Sequence, residues 1–209
     1  MTATTSDILS PIALDAELLE QQLRQEDALL RGHFRLSSGL HSDTYVQCAR
    51  FLRRPELAAP AAAALAGQIQ AAGLLPDVVV GPAMGGVVMG YELARQLGVP
   101  GIFTERDADG QMTLRRGFTI APGERVVIAE DVVTTGKSTL EVARVLRDLG
   151  AEVLAVASLI DRTGGQGGLD FPHYALLAVQ AATFAPESCP LCAAGVPVIK
   201  PGSRPEKAF

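Results

Sequence analysis

The stretch VVIAEDVVTTGKS, residues 126–138, decides how this chain is read. Its apolar run, Val126 to Ala129, has the continuous character of a strand covered on both faces, and the run ends in two adjacent carboxylates, Glu130 and Asp131. After Val132 and Val133, the turn Thr134-Thr135-Gly136-Lys137-Ser138 opens a helix closed by Gly150. In an open α/β sheet, ligands collect at the carboxyl ends of the strands. A turn in that place offers backbone N–H groups and hydroxyls at a helix N-terminus, a seat for a phosphate monoester. Gly136 lets the backbone approach such an anion closely. Glu130 and Asp131 can accept hydrogen bonds from vicinal hydroxyls of a sugar. Two carboxylates side by side at a strand end repel each other, which is costly without a ligand or cation. Gly136-Lys137-Ser138 also looks like the end of a nucleotide-binding P-loop. That motif needs glycine five residues before Gly136, and position 131 is aspartate.

Outward from this segment the pattern alternates. DVVVG, from Asp77, is a second short apolar run, and the glycine-rich turn GPAMGG leads from it into a helix, VVMGYELARQLG. PGIFTE and EVLAVASLIDR read as further strands, and HYALLAV as a candidate fifth. The order implies an α/β fold with a mostly parallel central sheet flanked by helices. Between Glu105 and Phe118, RDADGQMTLRRG has an Asp-Gly centre that predicts a hairpin or flexible flap. On the N-terminal side, leucines spaced among charges over residues 14–31 predict a helix ended by Gly32. Phe34, Leu36, Tyr45 and Val46 predict two short strands around a turn at Ser38-Gly39. A helix is expected from Pro55 to Ala72, with proline in its first turn and Gly73 at its end.

At 209 residues, 48% hydrophobic and 20% charged, the chain suits a single domain spanning 1–209. Its expected parts are an N-terminal helix and hood (about 1–50), a core sheet (about 75–180) and a C-terminal tail (181–209), whose polar end KPGSRPEKAF is expected on the surface. The net charge of −5 provides no general basic field for nucleic acid or an anionic membrane, so any phosphate must be held locally. Residues 1–20 lack a basic start followed by an apolar block, so no secretory signal is expected and a cytoplasmic location is. The charge-free stretch 57–76 is alanine-rich and broken by Pro60, Gly67 and Gly73, which suits a soluble helix better than a membrane span. Three cysteines argue against a disulfide scaffold. Cys189-Pro-Leu-Cys192 offers one pair of thiols where a structural zinc site wants four ligands. Plain structural thiols are the expectation, with a metal shared between subunits or a redox pair as alternatives. His33, His41 and His173 are scattered, and none is given a catalytic role.

The 126–138 segment resembles the phosphoribosyl pyrophosphate signature of type I phosphoribosyltransferases. Three further segments look like the orotate phosphoribosyltransferase family: GHFRLSSGLHSDTY, similar to the part that closes over the base; VVVGPAMGGVVMG, similar to the pyrophosphate turn; and SLIDR, similar to the strand whose arginine meets the orotate carboxylate. The compact loop and CPLCAAGVPVIKPGSR look like a distinct bacterial branch. The resemblance implies the type I fold, with hood and flap. It also implies a glycosyltransferase of pyrimidine biosynthesis that uses Mg²⁺ held mainly by substrate and makes orotidine 5′-monophosphate and pyrophosphate. On it, Glu130 and Asp131 bind the ribose hydroxyls, and Val132, Val133, Thr134, Thr135, Gly136, Lys137 and Ser138 the 5′-phosphate. Ala83, Met84 and Gly85 meet the pyrophosphate, Thr134, Arg162 and Phe34 the orotate, and Arg106 leads a catalytic flap to which Arg115 or Arg116 adds charge. A homodimer, with each flap reaching the neighbouring site, is implied as well. Ser37 and Gly85 stand where many family members carry lysine. A purine phosphoribosyltransferase for xanthine or adenine, or a regulator that senses the donor without catalysis, is the alternative.

Overall fold

The computed structural model describes residues 14–165 and 167–201. The expected surface tail beyond Pro201 and most of the segment read for a secretory signal lie outside the described residues. The first helix, α1 (Ala16–Gln25), is capped by Asp15, whose Oδ1 accepts from the Leu18 N–H at 2.8 Å. It is shorter than the leucine pattern predicts. The chain turns at Asp27 (φ +51°), and Leu29, Leu30 and Arg31 enter strand β1 (Leu29–Arg35), paired antiparallel with β2 (His41–Val46). Cross-strand pairing outweighs local helix propensity there. A short α2 (Ala49–Leu52) leads into α3 (Pro55–Ala71), which begins on proline and stops before Gly73 as the sequence predicts.

The core follows as β3 (Val78–Pro82), α4 (Gly85–Leu97), β4 (Gly101–Arg106), β5 (Met112–Leu114), β6 (Arg125–Val133), α5 (Lys137–Asp148), β7 (Glu152–Asp161) and β8 (His173–Ala178). The six strands form one sheet in the order β5-β4-β3-β6-β7-β8, parallel except for the β4–β5 hairpin. Successive side chains of a strand point to opposite faces, and the core divides accordingly. Val79, Val127 and Ala129 pack with Leu65, Met89 and Leu93 of α3 and α4. Val78, Val80, Val126 and Ile128 pack with Val142 and Leu146 of α5. Each such fully buried aliphatic side chain is worth about 1.5–3 kcal/mol.

From β3 the chain crosses to β4 on one side, while β6, also beside β3, sends it to β7 on the other. The carboxyl ends of β3 and β6 therefore flank the topological switch point, where a crevice opens. Over it lies a three-stranded antiparallel sheet, β1-β2-β9, with β9 at Thr183–Phe184. The chain then makes the short α6 (Pro190–Ala193) and returns to β1, where Ile199 donates to His33 O at 2.8 Å and accepts from the Arg35 N–H at 2.9 Å.

Candidate active site

Glu130 and Asp131 are neighbours in sequence but lie on opposite faces of the sheet. Glu130 shares the parity of Val126 and Ile128, and its carboxyl hydrogen-bonds Thr139 of α5. Asp131 shares the parity of Val127 and Ala129, and its carboxylate lies against Gly85 at the start of α4. A Cβ at position 85 would come within 2.8 Å of the Asp131 carboxyl carbon, so any side chain there displaces this group. Gly85 thus sits directly against the Asp131 carboxylate, at the position where the resemblance expects lysine in many relatives. Asp131 Oδ1 accepts from the Val132 N–H at 2.8 Å. The Ala83–Met84 peptide, at the end of β3, is cis, and Met84 is 85% exposed.

Burial, and then the Asp131 charge, push the Glu130 carboxyl up to about 8. Burial also raises Asp131 above its ordinary value. Groups held this way are poised for hydroxyl donors or a cation, either of which restores the charged form. The folded chain holds the Glu130 proton where the unfolded chain, with an ordinary value of 4.5, has released it. The associated stability is complete below about pH 4.5 and is lost as pH rises through about 8, roughly a few kcal/mol in all. The Tm of the ligand-free protein should therefore fall across that window, and Glu130→Gln should flatten the slope. Equal slopes in both proteins would remove Glu130 as the source.

The turn after β6 has the features of an anion seat. Gly136 adopts φ +73°, and a Cβ there would lie 2.6 Å from Gly167 O, so the position requires glycine. Gly136, the N-cap of α5, has no side chain to cap with, and the Lys137 N–H donates to Thr135 Oγ1 at 3.4 Å. Thr134, Thr135 and Lys137 are exposed beside it, Ser138 is half-buried, and Val133 is core.

Between this turn and the hood is a cavity of about 660 Å³. Thr134, Thr135 and Arg162 line its sheet side, and Arg35, Tyr45 and Lys200 line the hood side. Among the described residues, no acidic one lines it. The Arg162 N–H donates to Val133 O at 2.8 Å, which ties the end of β7 to the turn. Its Nε is buried without a hydrogen-bond partner among the described residues. Phe34 does not reach the cavity: its ring is buried and packs against Tyr45, with centroids 5.8 Å apart. Leu36 and Tyr45 line the cavity in its place. Lys200 and Pro201, expected on the surface, line it too. Ser37 also does, in the lysine's usual place.

The flap is the β4–β5 hairpin, turning at Asp107–Gly110. Arg106 pairs with Glu141 of α5 at 2.5 Å and donates to Gly110 O at 2.7 Å. Arg116 forks onto Glu105 at 2.7 and 2.8 Å, and Arg115 is exposed. In this conformation the flap thus engages its own chain.

Sequence reasoning missed what the hood does with histidine. His33 and His41 come together with Cys189 and Cys192, although nothing in the linear spacing pairs them. The expectation of a single pair of ligands is thereby corrected, and the available signal was that the chain carries histidines besides the Cys189–Cys192 pair. His173 likewise has neighbours, Ser158 Oγ at 2.8 Å and Asp161 at 3.9 Å.

The sequence model of the phosphoribosyl transferase domain matches residues 49–190. Among curated proteins, the orotate phosphoribosyltransferase of Carboxydothermus hydrogenoformans is 52% identical over 180 residues, 86% of this chain and 94% of that protein. The chain belongs to the orotate phosphoribosyltransferase family. The Heliobacterium modesticaldum orotate phosphoribosyltransferase is also 52% identical, over 87% of this chain and 94% of the relative. The crystal structure of the Aeropyrum pernix orotate phosphoribosyltransferase superposes with a TM-score of 0.65 at 29% identity, covering 77% of this chain and 93% of that one. The fold of this phosphoribosyltransferase is the type I fold, and its class of chemistry is pentosyl transfer. Among the described residues, no helix is long and apolar enough to cross a membrane.

Proposed function

We propose that this chain transfers the phosphoribosyl group of 5-phosphoribosyl 1-pyrophosphate to orotate, giving orotidine 5′-monophosphate and pyrophosphate in the cytoplasmic synthesis of UMP. One observation carries the choice of acceptor. Among the described residues, the cavity between the phosphate turn and the hood is lined by three cations, Arg35, Arg162 and Lys200, and by no carboxylate. A neutral purine gains little from such a wall, whereas the orotate carboxylate can take a bidentate arginine.

In this reading the N-terminal turn of α5, from Val132 to Ser138, holds the 5′-phosphate, and Glu130 and Asp131 accept from the ribose hydroxyls. The β3 turn, Ala83 to Gly85, faces the pyrophosphate. Positive charge builds on the ribose as the bond to pyrophosphate lengthens, and carboxylates close to it stabilise that charge. Thr134 and Arg162 orient orotate so that its ring nitrogen meets the anomeric carbon. The hard oxygen donors Glu130 and Asp131, held above their ordinary protonation range, fit a Mg²⁺ bound mainly through substrate oxygens. When bound, that ion neutralises charge on the leaving pyrophosphate. In this reading Arg106 folds over the donor once its pair with Glu141 gives way, an exchange of exposed ion pairs that costs little. Met84, Val88 and Tyr91 form an exposed apolar stripe along one side of α4, which supports a homodimer through that face.

The test is a panel of bases with one shared donor and Mg²⁺. Orotate should be consumed, read as loss of its absorbance, by a species sedimenting as two chains. Product from xanthine or adenine with none from orotate would overturn the assignment.

A further inference from the structure

Four potential metal ligands from opposite ends of the chain converge beneath the hood. His33 lies on β1 and His41 on β2, beyond the hairpin turn, while Cys189 and Cys192 bracket the start of α6. Their ligand atoms all lie within 4.8 Å of one another. His33 Nε2 is 2.8 Å from His41 Nδ1, 3.4 Å from Cys189 Sγ and 3.7 Å from Cys192 Sγ. His41 Nδ1 is 3.3 Å from Cys192 Sγ. A tetrahedral zinc ion with Zn–N near 2.0–2.1 Å and Zn–S near 2.3 Å spaces its ligands roughly 3.3–3.8 Å apart. These four separations come within about half an ångström of that spacing, and the cluster's widest separation, up to 4.8 Å, has to close by about 1 Å.

Two more features point to a metal. His33 Nδ1 lies 2.7 Å from Val196 O, so this nitrogen carries the proton and Nε2 is left as a lone-pair donor facing the cluster. A backbone carbonyl holding the far side of an imidazole is the usual support for a metal-bound histidine. His33, His41 and Cys189 are also buried, at 2%, 6% and 3% exposure. A divalent cation can take a lone pair from all four side chains at once. Two thiolates with two neutral imidazoles suit Zn²⁺ and neutralise its charge.

We propose that His33, His41, Cys189 and Cys192 form a structural zinc site. The ion staples the C-terminal segment to the β1–β2 hairpin. Ile199, which pairs with β1 beside Phe34, is held by the same closure, as are Lys200 and Pro201 at the cavity wall. The site therefore sets the shape of the base-binding cavity without touching a substrate. The assignment rests on the four side chains and not on the acceptor proposed above.

The experiment uses full-length protein purified without chelators. Elemental analysis should find one zinc per chain, and both Cys189 and Cys192 should resist a thiol reagent until a strong chelator is added. Exchange into Co²⁺ should give the intense visible bands of tetrahedral cobalt–thiolate coordination. Cys192→Ser and His41→Ala should each lose the metal and lower Tm. Zinc-free protein with freely reacting thiols, a Cys189–Cys192 disulfide, or metal content unchanged in both variants would overturn the site. Should the variants fail to fold, wild-type thiol protection and the cobalt spectrum decide, and the absence of both overturns it.

Discussion

Asp131→Asn should lower kcat/KM by about 10²-fold or more, a loss of roughly 3 kcal/mol in transition-state stabilisation. Asparagine keeps the shape of the side chain and an oxygen able to accept from the Val132 N–H, so the end of β6 is preserved. In the proposed mechanism, what disappears is a negative charge beside the ribose as it becomes cationic. Stability should move the other way. Burial already penalises the Asp131 carboxylate, and its charge raises Glu130, so removing it relieves two strained ionisations. A variant that is crippled in turnover and unchanged or higher in Tm has lost chemistry and not structure. Wild-type kinetics would remove this carboxylate from the mechanism.

Arg162→Ala should raise the KM for orotate by about 10–100-fold while the KM for phosphoribosyl pyrophosphate changes only a few-fold. Hydrogen bonds to a charged partner are worth about 1.5–3 kcal/mol each when made in a desolvated site. Arg162 meets that condition: it is half-buried, and its Nε has no hydrogen-bond partner among the described residues. The β7 connection survives the substitution because it runs through the backbone N–H of Arg162 to Val133 O. Arg162→Lys should rescue little, since an ammonium cannot reproduce the two-pronged contact. Equal rises in both KM values would mean that the residue supports the whole site and does not read the base.

The parts of this molecule legible in its sequence are those in which local signals and the final contacts agree. β6, its turn and α5 follow one another directly, so the apolar run, Gly136 and the helix pattern all report on the same place. The same holds for α3, framed by Pro55 and Gly73. Legibility fails where distant partners decide. The leucines at 29 and 30 fit a helix until β2 pairs with them. Phe34 looks like a base-stacking ring, but Tyr45 across the hairpin covers it. His33 and Cys189 are separated by most of the chain and meet only because the segment after β9 returns to the hood. Lys200 joins the cavity for the same reason. None of these contacts leaves a periodicity to detect.

The contact between Gly85 and the Asp131 carboxylate limits how this chain can be redesigned from its relatives. Grafting in the lysine that many of them carry at this turn does not add a cation to an otherwise intact centre. It forces the acid aside, so the replacement gains one charge and misplaces another. Chimeras should therefore exchange the β3–α4 and β6–α5 junctions as one unit, because the two loops have been fitted to each other.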